Sequence, residues 1–319
     1  MAISRRMLNR TSHIAHPTFF FIFHPQFFSS MNVIKLLSGL LFLGIIAGCS
    51  KTNDTVFVTV SARTYTDISY GTDPKQKMDI YLPAGRRADS TKILVLIHGG
   101  GWTTGDKSDF NTNIDSLKAR LPDYGIFNIN YRLSNGNTTA FPTQEIDVQA
   151  AVRYIYGKAS DYQVNNQKFV LLGTSAGGHL AMLQGFKDSI PVKPKAIVSF
   201  FGPSDLIDMY FNPVGGNQLL VTGLVAAVGK TPIQDAALYI NSSPMTFING
   251  GSPPTILLHG GLDPLVNPSQ SLNVNLALTA LNVKSEYVYY PTGGHGDWNT
   301  ATYTDAFNKI QAFLAANVH

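Results

Sequence analysis

The chain has 319 residues, 44% hydrophobic and 14% charged, with 28 Gly, 17 Pro and a single Cys. That apolar content excludes a disordered chain, and one Cys excludes an intramolecular disulfide framework or a multi-thiolate metal site. The formal charge of +4 belongs to the first 48 residues, where Arg5, Arg6, Arg10 and Lys35 stand without any Asp or Glu. Beyond them the charges balance, so no nucleic-acid-binding surface is implied.

The first element is a leader. Met31 and Lys35 precede an apolar run from Leu36 to Gly48 that ends in small residues, the pattern of a secretory signal peptide over 31–48. Its 13 residues span about 20 Å of helix against a hydrocarbon core of about 30 Å, which argues against a transmembrane span. Ile46-Ala47-Gly48-Cys49 resembles the lipobox of bacterial lipoproteins, and the chain's only Cys falls where that family carries its lipid. The resemblance implies cleavage before Cys49, acylation there and a membrane-anchored place in the bacterial cell envelope. Residues 1–30 are Phe-rich and broken at His24-Pro25, and make no segment suited to precede such a signal. They are read as a non-native upstream extension, with translation starting at Met31. Residues 49–55 read as a polar tether and 56–319 as one globular domain.

Beyond the tether, β-rich runs alternate with helical stretches, the signature of an α/β sheet. Strands are predicted at Val56–Thr64, Lys77–Leu82, Ile93–His98, Ile126–Tyr131, Phe169–Gly173, Ala196–Phe200, Thr255–His259 and Ser285–Tyr289. The runs at 93–97, 169–172 and 256–258 are continuously apolar, as central parallel strands buried on both faces are. The first two strands alternate more and suit an antiparallel edge. Helices are predicted at Asn111–Leu121, Glu145–Gly157, Ala176–Phe186, Pro268–Leu281 and Tyr303–Ala316. In the second of these, Ile146, Ala150, Val152 and Ile155 form the expected buried stripe. The less regular stretch Asp205–Gly251 is expected to form a small cap.

Gly173-Thr-Ser175-Ala-Gly177 fits G-x-S-x-G. The pattern is weak alone, but here it follows an apolar strand and opens a helix, the setting of a nucleophile elbow with Ser175 at its tip. His98-Gly-Gly-Gly-Trp102 follows the earlier apolar strand. An acyl-transfer serine needs preorganised N–H donors for its oxyanion, and Gly100 or Gly101 together with Ala176 can supply them. The absence of G-K-[ST] and of G-x-G-x-x-G sets aside a phosphate-binding loop.

The general base must be a late His. His295, in a loop between the last strand and the last helix, has the right position. His98 belongs to the glycine loop, His259 ends a strand, His179 reads as a packed or capping residue and His319 is terminal. The acid is expected after the penultimate strand at Asp263, with Asp205 after the preceding strand as the rival. Ser…Asp…His is the α/β-hydrolase order.

With HGGGW at 98–102, Asn130-Tyr-Arg-Leu133, GTSAGGHLA at 173–181, Asp263 in G-x-D-x-x-V and His295, residues 56–318 resemble α/β-hydrolase esterases. The likeness is to the hormone-sensitive-lipase-like and acetyl-xylan or feruloyl-esterase-like kinds. It implies a mostly parallel eight-stranded sheet flanked by helices, with a small cap. It also implies ester hydrolysis without cofactor or metal, and bracing roles for Tyr131, Arg132 and Asp147. Thr174, where the lipase-like branch carries Asp, and the lack of N-terminal cap helices favour the carbohydrate-esterase side. The expected substrates are short-chain acyl esters, small molecules or oligosaccharides, including acetyl or feruloyl esters of plant polysaccharides. Trp102 is expected to offer a stacking face to a sugar or aryl ring. An arylformamidase-like or peptidase-like hydrolase shares these motifs, and a non-catalytic binding protein would lack a triad member.

Overall fold

The computed structural model describes residues 60–187 and 189–319. The leader, Cys49, the tether and the start of the strand expected at 56–64 lie outside them. Among the described residues the strands are β1 (Arg63–Ser69), β2 (Lys77–Leu82), β3 (Lys92–Ile97), β4 (Tyr124–Ile129), β5 (Phe169–Thr174), β6 (Ala196–Phe200), β7 (Thr255–Gly260) and β8 (Ser285–Tyr290). The helices are α1 (Asn111–Arg120), α2 (Thr143–Tyr162), α3 (Ala176–Phe186), α4 (Leu206–Phe211), α5 (Gln218–Val228), α6 (Ala236–Asn241), α7 (Ser269–Ala280) and α8 (Thr300–Asn317).

The strands form one eight-stranded sheet in the order β1-β2-β4-β3-β5-β6-β7-β8. Only β2 runs against its neighbours, pairing antiparallel with β1 and β4, and every other pairing is parallel. Ile93 to Ile97 and Phe169 to Leu172 are buried, as strands covered by helices on both faces must be.

Four local expectations change. β1 runs from Arg63 to Ser69, past the Thr64 expected as its end, because its register against β2 sets Arg63 opposite Leu82 and Ser69 opposite Lys77. β4 covers 124–129 rather than 126–131, since the parallel ladder pairs Lys92 with Tyr124 and Ile97 with Ile129. Asn130 leaves the strand and turns its amide to Asp106 and to the Lys107 N–H. α2 buries Val148, Ala151, Val152, Ile155 and Ala159, spaced three and four residues apart, which leaves Ile146 50% exposed on the other side. The cap segment, irregular in sequence, folds into α4, α5 and α6 with short 3-10 turns. α4 and α6 are capped by the Asp205 and Asp235 side chains and α5 by that of Asn217.

The glycine loop follows β3, Ser175 follows β5, Asp263 follows β7 and His295 follows β8. These are the carboxyl ends of parallel strands, the edge where open α/β sheets place their ligands.

Candidate active site

Ser175 stands between β5 and α3 at φ 52 and ψ −119. A non-glycine residue held there costs on the order of 1–3 kcal/mol, a cost met only where the surroundings over-determine the backbone. The Ser175 N–H donates to Phe200 O at 2.8 Å and Ser175 O accepts from the His179 N–H at 3.0 Å. Both flanking glycines are sterically required. A Cβ on Gly173 would come within 2.1 Å of Gly177 O, and one on Gly177 within 2.0 Å of Ile97 O. The start of α3 is thus pressed against the end of β3, and the turn presents the Ser175 hydroxyl at the sheet edge.

His295 Nε2 lies 2.8 Å from Ser175 Oγ, and His295 Nδ1 lies 2.7 Å from Asp263 Oδ2. The other carboxylate oxygen, Oδ1, accepts the N–H groups of Leu265 at 2.8 Å and Val266 at 2.9 Å. Burial by itself raises the Asp263 carboxyl. Hydrogen bonds from His259 and His295, the charge of His295 and the Val266 N–H outweigh it and hold the group well below the usual carboxylate range. Asp263 therefore stays ionised beside the imidazole.

The loop carrying His295 is fastened on both sides of it. Trp298 Nε1 donates to Gly294 O at 2.8 Å and Tyr303 Oη to Gly296 O at 2.7 Å. The Phe201 ring lies 4.5 Å from the imidazole. The Leu262 N–H donates to Gly293 O at 2.8 Å and the Gly261 N–H to Tyr290 O at 2.7 Å, which joins the acid loop to the histidine loop. Sequence reading missed these anchors. Their only signal is the density of aromatic residues after Tyr287.

The glycine loop is shaped by Gly100, at φ +99, where a Cβ would meet Thr104 O at 2.2 Å. Gly100 O accepts from the Thr103 and Thr104 N–H groups. Tyr131 Oη lies 3.1 Å from both His98 O and Gly99 O, and its ring stacks on His98 at 4.2 Å. Gly99 abuts Ser175: a Cβ there would sit 3.3 Å from the serine Cβ. Among the described residues, the N–H groups of Gly100, Gly101 and Ala176 have no hydrogen-bond acceptor. Behind the loop, the buried Asp147 carboxylate takes the Arg132 N–H and guanidinium and the Gln76 amide.

Trp102 does not face the site as expected. It is 3% exposed, packs edge-on against Phe141 and His179 and donates from Nε1 to His179 Nδ1 at 3.3 Å, so its ring has no face free for a sugar. His179 is packed, not capping: its Nε2 donates to Ser242 O at 2.7 Å, and burial pushes its imidazole down to about 4. Asp205, the rival acid, accepts from the N–H groups of Ile207 and Asp208 as the cap of α4. His319 is exposed at the chain end, with Nε2 near Ala316 O.

The BD-FAE family matches residues 78–278. LipM of Mycobacterium tuberculosis, a probable carboxylic ester hydrolase, is 30% identical over 223 residues, 64% of this chain and 49% of that protein. The chain spans about half the length of the curated relatives it matches. A truncated carbohydrate esterase from gut microbiota superposes with a TM-score of 0.66 at 23% identity, covering 80% of this chain and 97% of that one. An acetyl ester-xyloside bifunctional hydrolase from Caldicellulosiruptor lactoaceticus gives 0.65 at 20% identity, covering 82% and 98%. At these identities the likeness is one of fold, and the fold is that of the α/β-hydrolases.

Proposed function

The chain belongs to the BD-FAE family, and on that premise we propose that it is a serine carboxylesterase with Ser175 as nucleophile, His295 as base and Asp263 as the acid that orients it. The observation that carries this reading is the hydrogen-bonded chain Ser175 Oγ, His295 Nε2, His295 Nδ1, Asp263 Oδ2, at 2.8 and 2.7 Å. Acyl transfer needs those three groups in that contact order.

Ser175 Oγ attacks the ester carbonyl as its proton passes to His295 Nε2. The imidazolium is stabilised through Nδ1–H by the ionised Asp263. The carbonyl oxygen takes up negative charge facing the N–H groups of Gly100, Gly101 and Ala176, whose directions are set before the substrate arrives. The alcohol leaves with the proton from His295. Water then repeats the attack on the acyl-serine, and the acid is released.

The proposed substrates are short-chain acyl esters, with acetyl esters on plant-polysaccharide fragments foremost and feruloyl esters second. The names of the carbohydrate esterase and the acetyl ester-xyloside hydrolase, which share the fold, support this. With Trp102 buried, recognition of a sugar falls to other residues at the sheet edge. The proposed setting is the bacterial cell envelope, with the lipid anchor at Cys49.

Hydrolysis of aryl esters from acetyl to dodecanoyl, together with acetate release from acetylated xylo-oligosaccharides, tests the reading. Short acyl chains are expected to turn over fastest, and a maximum at long chains would discard the short-chain assignment. Ser175→Ala should lose at least about 10³-fold of kcat with the fold intact. A folded Ser175→Ala protein with near-normal turnover refutes the nucleophile.

A further inference from the structure

His259 is fully buried in β7, four residues before Asp263, and the proton transfers above leave it unused. Its Nδ1 lies 2.7 Å from Ser271 Oγ. Its Nε2 lies 3.1 Å from Val266 O and 3.2 Å from Asp263 Oδ2. A carbonyl and a carboxylate can only accept, whereas the serine hydroxyl can donate. The tautomer follows: Nδ1 accepts from Ser271, and the proton sits on Nε2, shared between Val266 O and Asp263 Oδ2.

We propose that His259 is a positioning residue that holds the Asp263 carboxylate in line with His295, an inference that rests on the esterase reading above. Asp263 then has the Leu265 and Val266 N–H groups on Oδ1, and on Oδ2 the His295 N–H at 2.7 Å with His259 Nε2 3.2 Å away. A carboxylate held from both ends keeps its direction toward His295. Val266 closes the cluster, donating from its N–H to Asp263 and accepting at its carbonyl from His259. Ser271, on α7, anchors the far side of the ring, so the orientation of the acid is referred back to the sheet and a packed helix. An apolar residue would fill the same space, but it would leave Oδ2 with one donor.

The two N–H groups also divide the charge of Oδ2. The one from His259 draws negative charge away from the atom that faces His295, so its removal favours the imidazolium. The titratable groups shown beside the pair are His295, on the other side of the carboxylate, and Tyr289, opposite His259 on β8. Of these, only His295 bonds to the carboxylate.

His259→Leu is expected to lower kcat on an aryl acetate on the order of tenfold, with KM unchanged, and to raise the acid limb of the kcat/KM profile by about half a unit. His259→Gln, which can place an amide N–H near the same point, is expected to restore both. A purely structural role would lower the folded fraction and leave the limb in place. A folded Leu variant with the wild-type limb therefore overturns the proposal. Should that variant not fold, ¹⁵N spectra of the wild-type histidines decide. They are expected to show His259 protonated at Nε2 and bare at Nδ1 at neutral pH, and the opposite tautomer overturns the proposal. This second measurement needs no turnover. A wild-type chain without esterase activity would refute the proposed function while the contact itself stays under test.

Discussion

The Trp102 indole donates to His179 Nδ1 across 3.3 Å, fastening the residue after the oxyanion glycines to the helix after the nucleophile. The opposite nitrogen of the same imidazole donates to Ser242 O, at the end of α6. One buried imidazole thus joins the glycine loop, the elbow helix and the cap. Trp102 itself stands at φ +61, a conformation its burial against Phe141 and His179 maintains.

Trp102→Ala should therefore act first on stability. Truncating a buried aromatic costs about 3–5 kcal/mol, read as a lower urea midpoint with the same slope. Unchanged stability with a raised KM only for glycosidic esters would return Trp102 to substrate contact.

His179 makes stability depend on pH. Burial holds its folded-state value near 4, against about 6.5 in the unfolded chain. The unfolded state binds the extra proton between those values, so stability is retained above about 6.5 and lost as pH falls toward 4. The loss is on the order of 3 kcal/mol. Urea unfolding from pH 7.5 to 4 measures it, and His179→Phe should flatten this slope while lowering stability overall. A wild-type slope that persists in the variant would assign the effect to other groups.

Asp263 and Asp205 were rivals in sequence, and their surroundings now separate them. Asp263→Asn keeps the shape but presents an amide where His295 needs an acceptor, so kcat should fall on the order of 10³–10⁴-fold. Asp205 caps α4 through backbone N–H groups, a task Asn performs about as well. Asp205→Asn should thus leave kcat within a few-fold. Steady-state kinetics of the two variants checks the ranking, and the reverse order would move the acid to β6.

The positions of Ser175, Asp263 and His295 were legible because each follows a predicted strand, and β3, β5 and β7 are apolar runs that end in glycine-rich turns. Local patterning marks such boundaries well. What was not legible depends on partners far along the chain. Trp102 meets its acceptor 77 residues away, and nothing in HGGGW says whether the indole turns inward. The register of β1 is dictated by β2, and the choice of Val148 over Ile146 as the buried face of α2 is dictated by what α2 packs against. His259 read as the end of a strand because its contact with Asp263 exists only once the turn between them has folded.

Cys49 lies outside the described residues, and its proposed acylation rests on Ile46–Cys49 and on the signal before it. Among the described residues, no helix is long and apolar enough to cross a membrane. A single acyl chain binds membranes only marginally, whereas several anchor firmly. The diacylglyceryl and amine-linked chains implied by the lipobox resemblance would be enough. Metabolic labelling with a fatty-acid analogue should mark the wild-type protein and place it in the membrane fraction. Cys49→Ala should abolish the label and cleavage at that site, while esterase activity in detergent extracts stays unchanged. Wild-type protein that is unlabelled, recovered without membranes and cut elsewhere would refute the lipoprotein reading and leave the catalytic one intact.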